Sequence, residues 1–167
     1  SRIKYDNVVT TMATYLFFLG VGTYSTFEKK FTYLDGDSFM LELLVPPSSD
    51  PEVAERALQV LHDAIMWVYL FTGPDKYKNW EKSLEIKRRM EDGEDCSGLI
   101  EGMTFGYKYT GTVYREIGMQ NSDFGGMENV GNTTITTNRI MPFPEMTDGS
   151  FEYMIRVKCH EYYHNLN

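Results

Sequence analysis

The sequence has almost no means of stapling itself together. Its 167 residues include two cysteines, Cys96 and Cys159. That is too few for a disulfide framework, so stability must come from a buried core, and the chain is long enough to build one. Histidine is scarce too, with only His62, His160 and His164. No run approaches the ~20 apolar residues of a membrane span. Residues 8–22 come nearest and follow Arg2 and Lys4 as a signal h-region would, but they carry three threonines and read as structure. Bases fall short of acids, 16 against 24, for a formal charge of -8, which argues against general nucleic-acid binding. Six of the sixteen bases cluster between Lys76 and Arg89. Glu81, Glu85 and Glu91 are interspersed there, and a solvated helix face is the better reading. No targeting segment is legible, so the compartment is unknown.

What is present divides at Pro46-Pro47-Ser48-Ser49, the clearest linker. Before it, residues 12–22 form a short apolar, aromatic run that predicts a buried strand. Thr23–Leu34 and Ser38–Val45 predict a hairpin about Asp35-Gly36-Asp37. A three-residue loop there sets Tyr33 opposite Phe39, Phe31 opposite Leu41 and Phe27 opposite Val45, with Lys30 opposite Glu42 on the other face.

After the linker, Ser49 or Asp50 caps a helix that has Pro51 in its first turn and Glu52 in capping-box position. Its core stripe is Val53, Ala57, Leu61, Ala64, Val68 and Phe71, and residues 65–71 are apolar almost all round. Gly73-Pro74 ends it. His62 reads as a hydrogen-bonded or polar-face histidine. Asp75 begins a second helix to about Met90, with a Tyr77, Trp80, Leu84 stripe. Residues 91–98 read as a loop, residues 99–120 as strands bent at Gly102, Gly106 and Gly111, and Thr133–Ile140 as another strand.

The chain's last ten residues contain His160-Glu161-Tyr162-Tyr163-His164, a His-Glu-x-x-His pattern. On a helix, residues four apart share a face, so two imidazoles can grip one zinc while the intervening Glu takes a proton from an attacking water. The pattern counts only on a helix, and the local sequence permits two structures. Phe151, Tyr153, Ile155, Val157 and Cys159 alternate as in a strand. A helix is equally writable, capped by Asp148 or Ser150, with a Glu152/Arg156 pair and Phe151, Ile155, Cys159 and Tyr162 on one apolar side. Cys159 points away from His160 on that helix and reads as a small packing residue.

Upstream, Gly125-Gly126-Met127-Glu128-Asn129 follows one strand candidate and precedes another. It resembles the Gly-x-Met-Glu-Asn exopeptidase motif of the gluzincin zinc aminopeptidases, which precedes His-Glu-x-x-His by a few tens of residues, as here. The family includes aminopeptidase N, the alanyl aminopeptidases and the leukotriene hydrolase. Tyr15–Tyr24 resembles a strand near the end of the family's N-terminal β-domain. Leu41–Pro47 resembles the strand and proline turn entering the catalytic domain, and Ala57–Gly73 that domain's first long helix. The resemblance covers most of the chain except roughly residues 76–111, where it is longer than usual.

The resemblance implies an α+β fold. Residues 1–47 would be the end of an N-terminal β-domain, and 48–167 the first part of a thermolysin-like catalytic domain, with 160–164 helical. It implies a Zn²⁺ cofactor held by His160 and His164, Glu161 as general base, and Glu128 binding the free α-amino group of a peptide substrate. Gly125, Gly126, Met127 and Asn129 would line the substrate. The expected partners are peptides with a free N-terminus.

The family's third zinc ligand, a Glu beyond the second His, and its transition-state Tyr are absent from these residues, and Leu166 stands where a Trp is common. The expectation is therefore a fragment of a larger enzyme carrying half a site, inactive alone and prone to self-association through surfaces other regions would cover. Two alternatives are a non-catalytic binding module derived from the family and a zinc hydrolase with a non-peptide substrate.

Overall fold

The computed structural model describes residues 13–74, 76–120 and 125–166. Asp75 and residues 121–124 of the glycine-rich loop, on which two expectations fall, lie outside the described residues. The frame is one five-stranded sheet in the order β1 (Ser25–Thr32), β2 (Ser38–Val45), β3 (Val113–Met119), β5 (Asn132–Thr136), β4 (Gly126–Met127). β2, β3 and β5 are parallel, and β1 and β4 run antiparallel at the two edges. The helices are α1 (Pro51–Phe71), α2 (Lys76–Glu91), the single turns α3 (Ser97–Ile100) and α4 (Thr137–Ile140), and α5 (Asp148–Tyr163). The α+β class is observed.

Alternation along β2 decides which face is covered. Phe39, Leu41, Leu43 and Val45 are all buried, while Met40, Glu42 and Leu44 on the other face are partly exposed. Against the buried face lies α1, contributing Ala54, Ala57, Leu58, Leu61, Ile65, Val68 and Tyr69 to the same cluster. Each fully buried aliphatic or aromatic side chain is worth about 1.5–3 kcal/mol, so this contact anchors the fold. The cap is Asp50, whose carboxylate accepts from the Glu52 amide at 2.8 Å, as N-cap residues do.

Several expectations are corrected. The hairpin loop has three residues but sits one position earlier, at Leu34-Asp35-Gly36. The Tyr33 amide donates to the Asp37 carbonyl at 2.8 Å, and Gly36 takes φ 91°. A three-residue hairpin needs its left-handed residue last, and glycine is the residue that adopts that φ freely. Partners consequently shift by two: Phe31 faces Phe39, Phe27 faces Leu43, and Lys30 faces Met40 rather than Glu42. A shift of two keeps every side chain on its expected face.

Among the described residues of the 12–22 run there is only a 3-10 turn at Thr14–Leu16, and Tyr15, Phe17, Leu19 and Val21 are exposed. A run becomes a buried strand only where an edge and an opposing apolar layer receive it, and here neither does.

Strand structure within 99–120 is confined to 113–119. The preceding segment crosses the end of α1 instead, with the Gly106 amide on the Tyr69 carbonyl and the Tyr107 amide on Thr72 Oγ1, each at 2.8 Å. The strand expected over 133–140 stops at Thr136 and turns into α4. In α1, Trp67 is about half exposed and stacks on Phe71, so its last half is not buried all round. On α2 the covered residues are Asn79, Ser83 and Ile86, while Trp80 and Leu84 of the expected stripe are exposed.

Candidate metal centre

Two elements bring the site together. Thr147 caps α5, its hydroxyl accepting from the Ser150 amide at 3.2 Å, and the helix runs unbroken to Tyr163, with His164 at its C-terminal cap still in helical conformation. The strand alternative is thereby excluded for residues 148–163. Helical spacing puts His160 and His164 one above the other, their Nε2 atoms 3.1 Å apart and their rings nearly perpendicular at 88°. The second element is the edge hairpin of β4 and β5, where Gly126 pairs with Ile135 and Met127 with Thr134, leaving Glu128 just past the strand.

Gly126 is what lets the two elements meet. A Cβ there would overlap the Glu161 carboxylate and push that side chain aside, so glycine leaves room for it between strand and helix. Carboxylate oxygens of Glu128 and Glu161 and a ring nitrogen of His164 all lie within 4.8 Å of one another, forming a surface cluster that could hold a metal ion. His160 is not among those three but adjoins them through His164. Asn129 is buried, and its carbonyl accepts from the Asn132 amide at 2.9 Å, which fixes the turn after Glu128. Gly125 lies beside Arg139 and is partly exposed.

The donor types, imidazole nitrogen and carboxylate oxygen, are ones that a divalent metal such as zinc accepts. Glu161 is 6 % exposed and its Oε2 has no hydrogen-bond partner, an expensive state for a carboxylate unless a ligand or proton meets it. Burial pushes its pKa above the ordinary carboxylate value; His160 and His164 pull it back, and Glu128 and Glu116 add to the rise.

A pair that sequence reasoning missed lies directly behind the site. Lys158 on α5 and Glu116 on β3 are both fully buried and form an ion pair. Lys158 shares a helix face with Glu161 three residues on, so it fastens that face to the middle of the sheet. Its signal was present in sequence: a lysine at a position that the histidine spacing turns inward. The apolar side expected of α5 is corrected accordingly. Met154, Val157, Lys158, Glu161 and Tyr162 are buried, whereas Phe151, Ile155 and Cys159 line an open groove with Trp67, Trp80 and Tyr163, with His160 and His164 on the same wall.

Comparisons with known proteins bear on the fold. A scan of family models matches none of them, and no curated protein matches. Among solved structures, the chain is similar to Legionella pneumophila aminopeptidase A in complex with aspartic acid, with a TM-score of 0.57 at 18% identity over 86% of this chain. This chain spans only 13% of that protein's length. The likeness is one of fold, distant and partial. Among the described residues no helix is long and apolar enough to cross a membrane.

Proposed function

We propose that the chain is part of a zinc-dependent aminopeptidase and opens its thermolysin-like catalytic domain. The observation that carries this is the convergence of His160, His164, Glu161 and Glu128 at the contact between α5 and the edge hairpin. The distant likeness to an aminopeptidase supports it. His160 and His164 hold zinc. When bound, zinc supplies Lewis acidity toward the scissile carbonyl and makes water a better nucleophile near neutral pH.

The chain's own residues do the rest. Glu161 takes the proton of the attacking water and later returns it to the leaving amine. Glu128 receives the substrate's free ammonium, which fixes the first peptide bond over the site and disfavours internal peptide segments, which have no charge to offer. Gly125, Gly126 and Met127 form a strand edge along which the substrate backbone lies, and Asn129 holds the turn that aims Glu128.

The deciding experiment is Glu161→Gln in the enzyme carrying this chain, assayed on aminoacyl-amides with metal content measured alongside. The expected outcome is loss of turnover by at least ~100-fold, at the low end for a general base, with zinc retained. Turnover near wild type would overturn the reading.

A further inference from the structure

We propose that the site selects peptides bearing a carboxylate beyond the scissile bond, about three residues from the amino terminus, and that Arg139 receives it. The inference rests on the aminopeptidase reading and names the substrate class within it.

The geometry starts from β4. That strand ends the sheet, and among the described residues nothing pairs with its outer edge, so an extended peptide can join it as a further strand. An ammonium held at Glu128 fixes the direction. The peptide then runs past Met127 and Gly126 toward Gly125, antiparallel to β4. Three residues of strand span about 10 Å, which carries the substrate from its anchored end to Gly125.

At Gly125 it meets a cation. A Cβ placed on Gly125 would come 3.1 Å from Arg139 Nη1, so the guanidinium lies against this end of the strand edge. It sits over Tyr153, with Cζ 5.1 Å from the ring centroid, which holds it in place. Arg139 also lines a cavity of about 430 Å³ with Asn138, Thr147, Ser150 and Tyr153, and is the one charged residue there among those described.

That charge lacks a counterpart. Three arginines among the described residues are partly covered, Arg89, Arg115 and Arg139. Arg89 pairs with Glu94 and Arg115 with Glu42, whereas Arg139 meets no carboxylate among the described residues. A partly desolvated guanidinium gains from an incoming carboxylate, which it can meet with two parallel N–H···O bonds. Two groups can supply it: the terminal carboxylate of a short peptide, or an acidic side chain in a longer one.

The test compares kcat/KM of the enzyme carrying this chain on matched substrates. One pair is trialanine and its C-terminal amide. The other is a longer amidated peptide with Asp or Asn as its third residue. Wild type should favour the charged member of at least one pair by about tenfold or more, the lower range for a hydrogen bond to a charged group. The gain should lie mainly in KM, because Arg139 binds the substrate away from the reacting bond. Arg139→Gln should collapse the ratio toward one, and Arg139→Lys, which keeps the charge but not the fork, should retain part of it. A ratio between two substrates does not depend on how much of a variant folds. Selection in the first pair alone identifies the terminal carboxylate, and in the second alone the side chain. Equal rates within both wild-type pairs, or a ratio unchanged in Arg139→Gln, would overturn the inference and leave the aminopeptidase reading standing. Failure of wild type to cleave any of the four peptides would overturn both.

Discussion

Helix α5 presents two faces, one buried and one lining an open groove, and the buried face takes in charged side chains while apolar ones stay at the groove. One face carries Met154, Val157, Lys158 and Glu161 and is buried on the sheet; the other carries Phe151, Ile155 and Cys159 and lines an open groove. Three of the five buried residues, Met154, Val157 and Tyr162, are apolar, as in a core-filling helix, but Lys158 and Glu161 go in with them. Here two ionisable side chains go inside because the structure offers each a use. Lys158 meets Glu116 across the helix–sheet contact, and Glu161 is delivered to the cluster it forms with Glu128 and His164. The apolar face is left beside the two histidines. On this helix, hydrophobicity alone does not decide burial.

The comparison is broken most severely at Lys158. Replacing it with alanine strands the Glu116 carboxylate in the core, and losing one partner of a buried pair costs about 3–5 kcal/mol. Urea unfolding near pH 8 is the measurement. Burial already holds the Glu116 pKa above its ordinary value despite Lys158. A carboxyl raised in the folded state binds protons more tightly than in the unfolded one, so lowering the pH relieves the stranded charge, and the deficit of Lys158→Ala should shrink toward pH 5. Replacing both partners with apolar residues, Lys158→Met with Glu116→Leu, should be near neutral or stabilising. A loss below about 1 kcal/mol for Lys158→Ala would mean that water reaches Glu116 and that the buried face is not sealed.

The second-largest effect separates stability from function. Glu161→Gln should stabilise the metal-free protein at neutral pH by on the order of 1 kcal/mol, because it removes a buried carboxylate with an unsatisfied oxygen. The sign follows from the raised pKa. The wild-type penalty is full above the folded pKa and fades as pH falls through it toward the ordinary carboxylate range, below which the glutamate is neutral in both states. Thermal melts at several pH values check it, and a melting temperature for Glu161→Gln below wild type at neutral pH would contradict it. A variant that is more stable yet inactive is the expected mark of a strained functional group.

Much of this was readable from sequence, and the limits have physical causes. The cap and length of α1, the extent of β2 and the loop length of the hairpin follow from local chemistry: Asp50, Pro51, Gly36 and period-two alternation. The motif residues Glu128, Glu161 and His164 stand out in the sequence, and in the structure their side chains lie together. What local pattern cannot supply is the partner surface. Trp80 and Leu84 on α2 and Phe151 and Ile155 on α5 make apolar stripes, but whether a stripe is covered depends on what packs against it from elsewhere. In this structure they border grooves instead. The same holds for residues 13–22, apolar but without a neighbouring strand. Local pattern turns Lys158 inward but could not name its partner for a related reason: Glu116 is 42 residues away and meets it only once β3 lies in the middle of the sheet.

The smallest effect sharpens the comparison, because α5 carries a second ion pair that differs from the first mainly in exposure. Arg156 and Glu152 are one helical turn apart, with side chains 73% and 63% exposed. Water solvates both charges in the folded and unfolded states, so contact gains little and costs side-chain entropy. Arg156→Ala should therefore lose no more than about 0.5 kcal/mol, and that remainder should vanish in high salt, where exposed charges are screened. Lys158→Ala in the same buffer should keep nearly its whole deficit, because salt cannot enter the buried face. If the two variants responded to salt alike, Lys158 would have to be open to solvent, and the division of α5 into a sealed charged face and an open apolar one would not hold.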